Sequence, residues 1–110
     1  MIKHVHIDNW VYQVLDEFYD ASMKKYITLD YPTVKAKIDR LEAAMYNFAD
    51  KAESVHTEPY RRDWKAARYK ELYAEGFHFA YKIYMLPNGE KVLYYHDAVH
   101  DKLNYNPEEK

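Results

Sequence analysis

Basic side chains are concentrated in one short stretch in the middle of the sequence. The stretch YRRDWKAARYK, residues 60–70, contains five cations and one acid: Arg61, Arg62, Lys65, Arg68, Lys70 and Asp63. The chain as a whole has a formal net charge of −2, so the basic band is a local feature of a nearly neutral protein. Such a band predicts a binding surface. The alternative is an exposed sheet face whose cations only keep it solvated.

Histidines form a second group of residues with possible chemistry. His4 and His6 are two residues apart, which places them on one face of a strand, and His96 and His100 lie on or beside the last predicted strand. If the first and last strands were neighbours, these four side chains could form a metal site. Histidines that alternate along a strand more often have structural roles, so we expect no metal and no cofactor.

Several other kinds of chemistry are excluded by composition. The chain has no cysteine, which removes disulfides, thiolate nucleophiles and cysteine zinc sites. It also has no Gly-rich phosphate loop, no Ser-His-Asp ordering and no metalloprotease motif. Tyrosine is abundant, with 13 copies, and its ring and hydroxyl suit strands, interfaces and base-stacking surfaces equally.

The length and hydropathy pattern predict the size and setting of the protein. A chain of 110 residues is in the usual range for one domain, so we expect a single domain over residues 1–110. The opening MIKHVHIDNW lacks the apolar core of a signal peptide, and no run approaches the roughly 20 apolar residues of a membrane span. We therefore expect a soluble, cytoplasmic protein without a membrane partner.

The first half of the sequence predicts one strand and two helices. Residues 3–7 alternate as a strand does, and Asp8 or Asn9 can cap the helix that follows over residues 10–26. Asp30 and Pro32 mark the start of the second helix. Its apolar positions have the spacing of one buried helix face and are Val34, Ile38, Leu41, Met45, Phe48 and Ala52. Two helices joined by a short loop are expected to pair antiparallel.

The second half of the sequence predicts three antiparallel strands. Residues 60–75 could be helical, but ARYKELY alternates and its neighbours favour a sheet, so we expect a strand there. Apolar residues alternate from Phe77 to Met85, Asn88-Gly89 predicts a hairpin, and the returning strand spans residues 91–99. His100 then begins a polar tail. The helices can bury their apolar faces only against each other and one face of the sheet, which predicts two layers and an α+β fold.

This order of elements resembles the RelE/ParE superfamily of bacterial toxin proteins. The similarity is carried by RLEAAMYNFA in the helical part and by WKAARYKEL, GFHFAYKIY and VLYYHDAVHDKLNY in the strands and tail. It covers nearly the whole chain. The resemblance implies an N-terminal strand and a helical hairpin packed on a C-terminal antiparallel sheet, and a partner antitoxin that holds the protein inactive.

The resemblance also implies one of two activities. RelE-like members cut mRNA on the ribosome, and ParE-like members inhibit DNA gyrase without cutting anything. A degenerate relative that only binds a partner, and an unrelated binding role, are further alternatives. Metal-free RNA cleavage needs a base for the 2′-hydroxyl proton, cations for the phosphate and an acid for the leaving oxygen.

The residues that match such a site come from the strands and the tail. By resemblance, His100 is expected to transfer the proton, with Tyr105 as a stacking or proton-donating partner and Lys102 as a basic neighbour. Arg68, Lys70 and Lys82 lie on adjacent predicted strands and are expected to meet on the sheet face that the helices leave uncovered, with Arg68 in the catalytic group. Arg61 and Arg62 add to the predicted phosphate-binding set. All these groups are expected to gather with His100 on that face.

Overall fold

The fold is α+β and consists of a helical region and a four-stranded mixed sheet. A computed structural model describes residues 2–25 and 30–101. The elements in chain order are β1 (Ile2–Ile7), α1 (Asn9–Lys25), α2 (Tyr31–Asn47), α3 (Arg62–Ala66), β2 (Lys70–Ala74), β3 (Phe77–Met85) and β4 (Lys91–His100). Two 3-10 turns, Phe48–Asp50 and Ala52–Ser54, follow α2.

Both long helices begin where the sequence predicts. The Asp8 carboxylate accepts a 2.8 Å hydrogen bond from the Trp10 amide at the start of α1. At the start of α2, the Asp30 carboxylate accepts from the Thr33 amide at 2.9 Å, and Pro32 lies in the first turn. Such caps satisfy amides that have no partner within the helix and contribute about 1 kcal/mol each. The prediction for α2 is too long, because the α-helix ends at Asn47 and the chain continues in 3-10 turns.

The strands are arranged in the order β1-β4-β3-β2. The predicted antiparallel pairing of β2, β3 and β4 is confirmed, and β1 adds to β4 in parallel. The side chains of β3 that face the helices are Phe77, Phe79 and Tyr81, all fully buried. They form the main core with Leu93 and Tyr95 of β4 and with the buried side chains of the helices, among them Val11, Leu15, Leu41 and Met45.

The prediction of a strand from Trp64 onward is wrong for its first part. Residues 62–66 form the short helix α3, and β2 begins only at Lys70. Helix α3 places Trp64, 1% exposed, on Ala80 and Val99 on the sheet face away from α1 and α2. Because burial of one large indole is worth more than the weak strand preference of the segment, tertiary packing decides the conformation here.

A bulge in β4 controls which side chains point to which face. Ala80 pairs with Asp97 and Tyr81 pairs with Tyr95, so His96 is an extra residue in β4. A bulge of this kind reverses the alternation of the residues beyond it. As a result Asp97 and Val99 lie on the uncovered face, whereas Ala98 and His100 point toward the helices.

Candidate functional site

The sheet face opposite α1 and α2 is divided in two by Trp64. The Trp64 ring covers Ala80 and Val99, and its indole N–H donates to the Asp97 carboxylate at 3.2 Å. The other oxygen of Asp97 accepts from the Trp10 indole at 2.8 Å. One carboxylate therefore ties α1 and α3 to the end of β4, and a different group of polar and aromatic side chains lies on each side of Trp64.

The group on the β1 side is a continuous aromatic surface. We call it the Tyr–His surface, and its members are His6, Tyr69, Lys82, Tyr84, Tyr94 and His96. The ring centroid of Tyr94 lies 4.6 Å from that of His6 and 4.3 Å from that of His96. His96 in turn lies 5.2 Å from Tyr69 and 5.8 Å from Tyr84. His6 and Tyr84 are exposed and the other members are half-buried, so the ring faces and edges are open to a ligand.

His96 is the group on this surface best suited to accept a proton. A 2.9 Å hydrogen bond joins its Nε2 to the Tyr84 hydroxyl. Burial lowers the pKa of His96 below its ordinary value, and the nearby charge of Lys82 lowers it further. A lowered pKa keeps the imidazole neutral near pH 7, and a neutral imidazole can act as a general base.

Lys82 supplies a positive charge beside His96. Its Nζ lies 4.8 Å from the centroid of the Tyr69 ring, which is a cation–π contact. Lys82 also lines a shallow depression of about 340 Å³ with Arg68, Lys70, Tyr81 and Ile83. The structure thus brings together three of the predicted cations at the edge of the sheet.

Tyr94 is held in place by the loop before α1. Its hydroxyl donates to the Asp8 carboxylate at 2.9 Å, and this hydrogen bond raises the pKa of Tyr94. The pKa of Asp8 is lowered, mainly by the hydrogen bond from the Trp10 amide and next by that from Tyr94. Tyr94 is therefore a fixed, neutral ring in the centre of the surface.

The prediction that His100 lies on the uncovered face is wrong. The His100 ring is 8% exposed and stacks on Phe18 of α1 at 4.2 Å between centroids, and it also contacts Phe77 edge-on at 4.6 Å. The bulge at His96 is the physical reason, because it turns His100 to the helix side. The role of His100 in proton transfer stays a prediction that this position does not favour.

The other predicted cations differ from Lys82 in position, although Lys70 and Arg68 line the same depression at the edge of the sheet. Lys70 is not on the uncovered face, because it pairs with Tyr81 and its Nζ donates to the Glu53 carbonyl at 3.1 Å. Arg68 precedes β2 in a left-handed conformation, with φ of 63°, and is exposed. Arg61 is buried and forms a bidentate ion pair with Asp63 at 2.8 and 2.9 Å, so it is not open to a phosphate.

Three further predicted residues complete the comparison. Arg62 is exposed on α3. Lys102 and Tyr105 lie outside the described residues. Among the described residues, His100 and Lys70 lie on the helix side of the sheet, so the predicted gathering of these two with Lys82 on the uncovered face is not found.

The histidines do not assemble as a four-residue group. His6 and His96 both contact Tyr94 on the uncovered face, His4 bonds to Glu90 at 3.1 Å, and His100 is on the other side of the sheet. Within residues 2–25 and 30–101, no three His, Cys, Asp or Glu side chains are placed to hold a metal ion. In the same part of the chain, no helix is both long and apolar enough to cross a membrane.

Sequence reasoning identified Lys82 but missed the aromatic residues around it. Tyr84 follows Lys82 at two residues on the polar side of β3, so simple alternation could have found it. The bulge that brings His96 and Asp97 to the same face leaves no signal in the alternation of residues 91–100.

Comparisons with known proteins give no relative: no family model matches the chain, and no match is found among curated proteins or solved structures.

Proposed function

We propose that this protein is the toxin-like component of a bacterial toxin–antitoxin pair, and that it binds single-stranded RNA on the Tyr–His surface and cleaves it without a metal. The order strand, helix, helix and three strands, on which the resemblance to RelE/ParE proteins rests, supports a RelE/ParE-like two-layer arrangement. The proposal also includes a cytoplasmic location, an antitoxin partner and the ribosome with its mRNA as target.

The observation that carries the proposal is the combination of open aromatic rings with a neutral histidine and a lysine. Bases of single-stranded RNA stack on aromatic side chains, each worth about 1–3 kcal/mol, and this contact is available to every base. Tyr94 and His6 offer neighbouring rings 4.6 Å apart for such stacking. Phosphates that follow the bases then meet Lys82 and the exposed Arg68.

The proposed chemistry assigns one role to each group. His96 accepts the proton of the 2′-hydroxyl, whose oxygen attacks the adjacent phosphorus and forms a 2′,3′-cyclic phosphate. Lys82 stabilises the added negative charge on the phosphate, and a proton from Tyr84 or from the imidazolium reaches the 5′-oxygen as its bond to phosphorus breaks. The 2′-hydroxyl would replace the Tyr84 hydroxyl as the partner of His96 Nε2. In this scheme His96 has the role that the sequence assigned to His100.

The chemistry can be tested with programmed ribosomes and with free single-stranded RNA. General acid–base groups contribute about 100- to 10,000-fold, so we expect His96→Ala to slow cleavage at least 100-fold and Lys82→Ala to slow it at least tenfold. His56→Ala is the matched control. His56 is exposed in a loop and is not a member of the Tyr–His surface, so this variant should cleave normally. Products should carry 2′,3′-cyclic phosphate ends.

The same assay separates the two histidines and the two activities. His100→Gln should keep most of the activity if His96 is the base, and loss of activity in His100→Gln with full activity in His96→Ala would reverse the assignment. If the wild-type protein cuts no RNA and instead blocks supercoiling by DNA gyrase, the ParE-like alternative replaces the nuclease.

A further inference from the structure

The side of the uncovered face beyond Trp64 contains a second cluster that the proposed function does not use. We call it the His78 cluster, and its members are Tyr60, Glu71, Tyr73, His78 and Asp101. The His78 ring is 8% exposed. Its Nδ1 lies 2.7 Å from a Glu71 carboxylate oxygen, and its Nε2 makes a shorter contact with an Asp101 carboxylate oxygen.

The two carboxylates indicate the protonation state of the ring. Glu71 and Asp101 both offer acceptor oxygens, so each ring nitrogen of His78 must carry a proton for both contacts to be hydrogen bonds. A ring with two N–H groups is an imidazolium, and its hydrogen bonds to carboxylates are of the strong, charge-assisted kind. Without the second proton, a nitrogen lone pair would face a carboxylate oxygen of Glu71 or Asp101, which is repulsive.

The cluster joins three separate segments of the chain. Tyr60, in the segment that leads into α3, stacks on His78 at 4.0 Å with 14° between ring planes, and its amide donates to Glu71 at 2.6 Å. Tyr73 of β2 lies 4.6 Å from the His78 ring, and its hydroxyl donates to Asp101 at 2.7 Å. Asp101 immediately follows β4.

The groups around the ring all favour its charged form. Glu71 and Tyr73 face His78 from β2, Tyr60 faces it from the segment before α3, and Asp101 faces it from the end of β4. The hydrogen bonds from Tyr73 and next from His78 lower the pKa of Asp101, which is therefore ionised well into the acidic range. The neighbouring His100 lowers the pKa of Asp101 further through its electrostatic interaction with the carboxylate.

We propose that the His78 cluster is a proton-controlled latch, which holds the Tyr60 segment and Asp101 against the sheet while the His78 ring carries two protons. Loss of one proton breaks one of the two carboxylate contacts and weakens the Tyr60 stack, because a neutral ring has no cation–π attraction. The Tyr60 segment then separates from β2. This inference does not depend on RNA cleavage.

The first test is a direct measurement of the protons on the ring of the wild-type protein. Long-range ¹H–¹⁵N correlation spectra distinguish an imidazolium from either neutral tautomer. At pH 7 we expect both nitrogens of His78 to give the signals of protonated nitrogen. Signals of a neutral tautomer at pH 7 would overturn the proposal.

The second test asks whether release of the segment follows the ring proton. Hydrogen exchange of the Tyr60 amide should accelerate about tenfold beyond the ordinary base-catalysed rise, over the pH range in which the His78 signals change. The Leu86 amide, which donates to the Glu90 carbonyl at 2.7 Å in the β3–β4 hairpin, is the control and should show only the ordinary rise. If both amides behave alike, the ring proton does not control the segment.

A conservative variant completes the test. Asp101→Asn keeps the shape of the contact but removes one negative charge, so the ring signals and the extra Tyr60 exchange should both move to lower pH. The wild-type measurements stand by themselves if this variant does not fold. An Asp101→Asn protein with unchanged signals and exchange would contradict the latch.

Discussion

At the scale of single residues, two buried tyrosines of the sheet hold the end of α2 and the 3-10 turn Ala52–Ser54 in place. The Tyr81 hydroxyl donates to the Ala52 carbonyl at 2.7 Å, and the Tyr95 hydroxyl donates to the Met45 carbonyl at 2.8 Å. Burial raises the pKa of both above the ordinary 10.0, so they stay protonated donors at any physiological pH. Each ring fills the core. The Tyr95 hydroxyl satisfies a carbonyl near the end of α2, and the Tyr81 hydroxyl satisfies one in the second 3-10 turn that follows.

Removing one of these hydroxyls should be costly although the ring remains. We expect Tyr81→Phe and Tyr95→Phe each to lower the free energy of unfolding by about 1–2 kcal/mol, because each leaves a buried carbonyl without its donor. Tyr31→Phe is the control, since Tyr31 is 67% exposed, and it should change stability by less than about 0.5 kcal/mol. Urea unfolding measures all three, and equal values for the buried and exposed sites would contradict the argument.

A second residue-scale prediction concerns binding. Tyr94→Ala should weaken the affinity for single-stranded RNA about tenfold, because it removes the central ring of the Tyr–His surface. Tyr94→Phe keeps the ring but loses the hydrogen bond to Asp8, and it should bind nearly as well as wild type. Fluorescence anisotropy with a labelled oligonucleotide measures both, and equal loss in the two variants would show that the ring face is not the contact.

At the scale of elements, the two glycines lie in turns that leave different amounts of space for a side chain. Gly76 and Gly89 both have φ of +86°, which strains any other residue. A Cβ on Gly76 would lie 2.6 Å from His100 Nε2, whereas a Cβ on Gly89 would meet nothing within 4 Å. The ring of His100 is thus packed against the backbone of the β2–β3 turn.

This difference predicts unequal costs for the same substitution. Gly89→Ala should destabilise by about 1 kcal/mol through backbone strain alone. Gly76→Ala adds a clash with a ring that Phe18 and Phe77 hold in place, so it should cost at least about 1 kcal/mol more. Thermal or urea unfolding of the two variants gives the comparison, and equal costs would mean that His100 moves aside easily.

The elements also show how far the sequence could predict this structure. Local signals were sufficient for the caps at Asp8 and Asp30 and for the strand and hairpin after Gly76, because each depends on neighbouring residues. Helix α3 and the bulge at His96 depend on contacts between distant segments, namely Trp64 on Ala80 and the register of β4 against β3. For that reason the sequence predicts the base at His100 rather than at His96. Lys82 lies on the uncovered face, as the sequence predicts.

At the scale of the whole molecule, titrating groups predict that stability falls in acid. Hydrogen bonds lower the folded-state pKa of Asp8 and Asp101 below 3.8, so their stabilisation is present above about pH 4 and is lost as the pH falls below it. Burial lowers the pKa of His96 below 6.5, so its contribution is present above that pH and is lost as the imidazole becomes protonated. The three groups change stability in the same direction.

The resulting pH profile can be measured directly. The urea midpoint should decrease below pH 4. Between pH 7.5 and pH 5.5, His96→Gln should lose the destabilisation that protonation of His96 causes, so its midpoint at pH 5.5 relative to pH 7.5 should be higher than that of wild type, whereas His56→Gln, at an exposed position, should follow wild type. The same change of midpoint in His96→Gln and in wild type would mean that His96 does not titrate in this range.

The site of RNA binding is tested most directly by mapping amide chemical shifts of the wild-type protein with a short 2′-O-methyl RNA, which lacks the attacking hydroxyl and is not cut. We predict that the largest changes fall on His6 of β1, on residues 82–84 of β3 and on residues 94–96 of β4. Changes concentrated on α1 and α2, or no changes at RNA concentrations that saturate a micromolar site, would contradict the assignment of the Tyr–His surface.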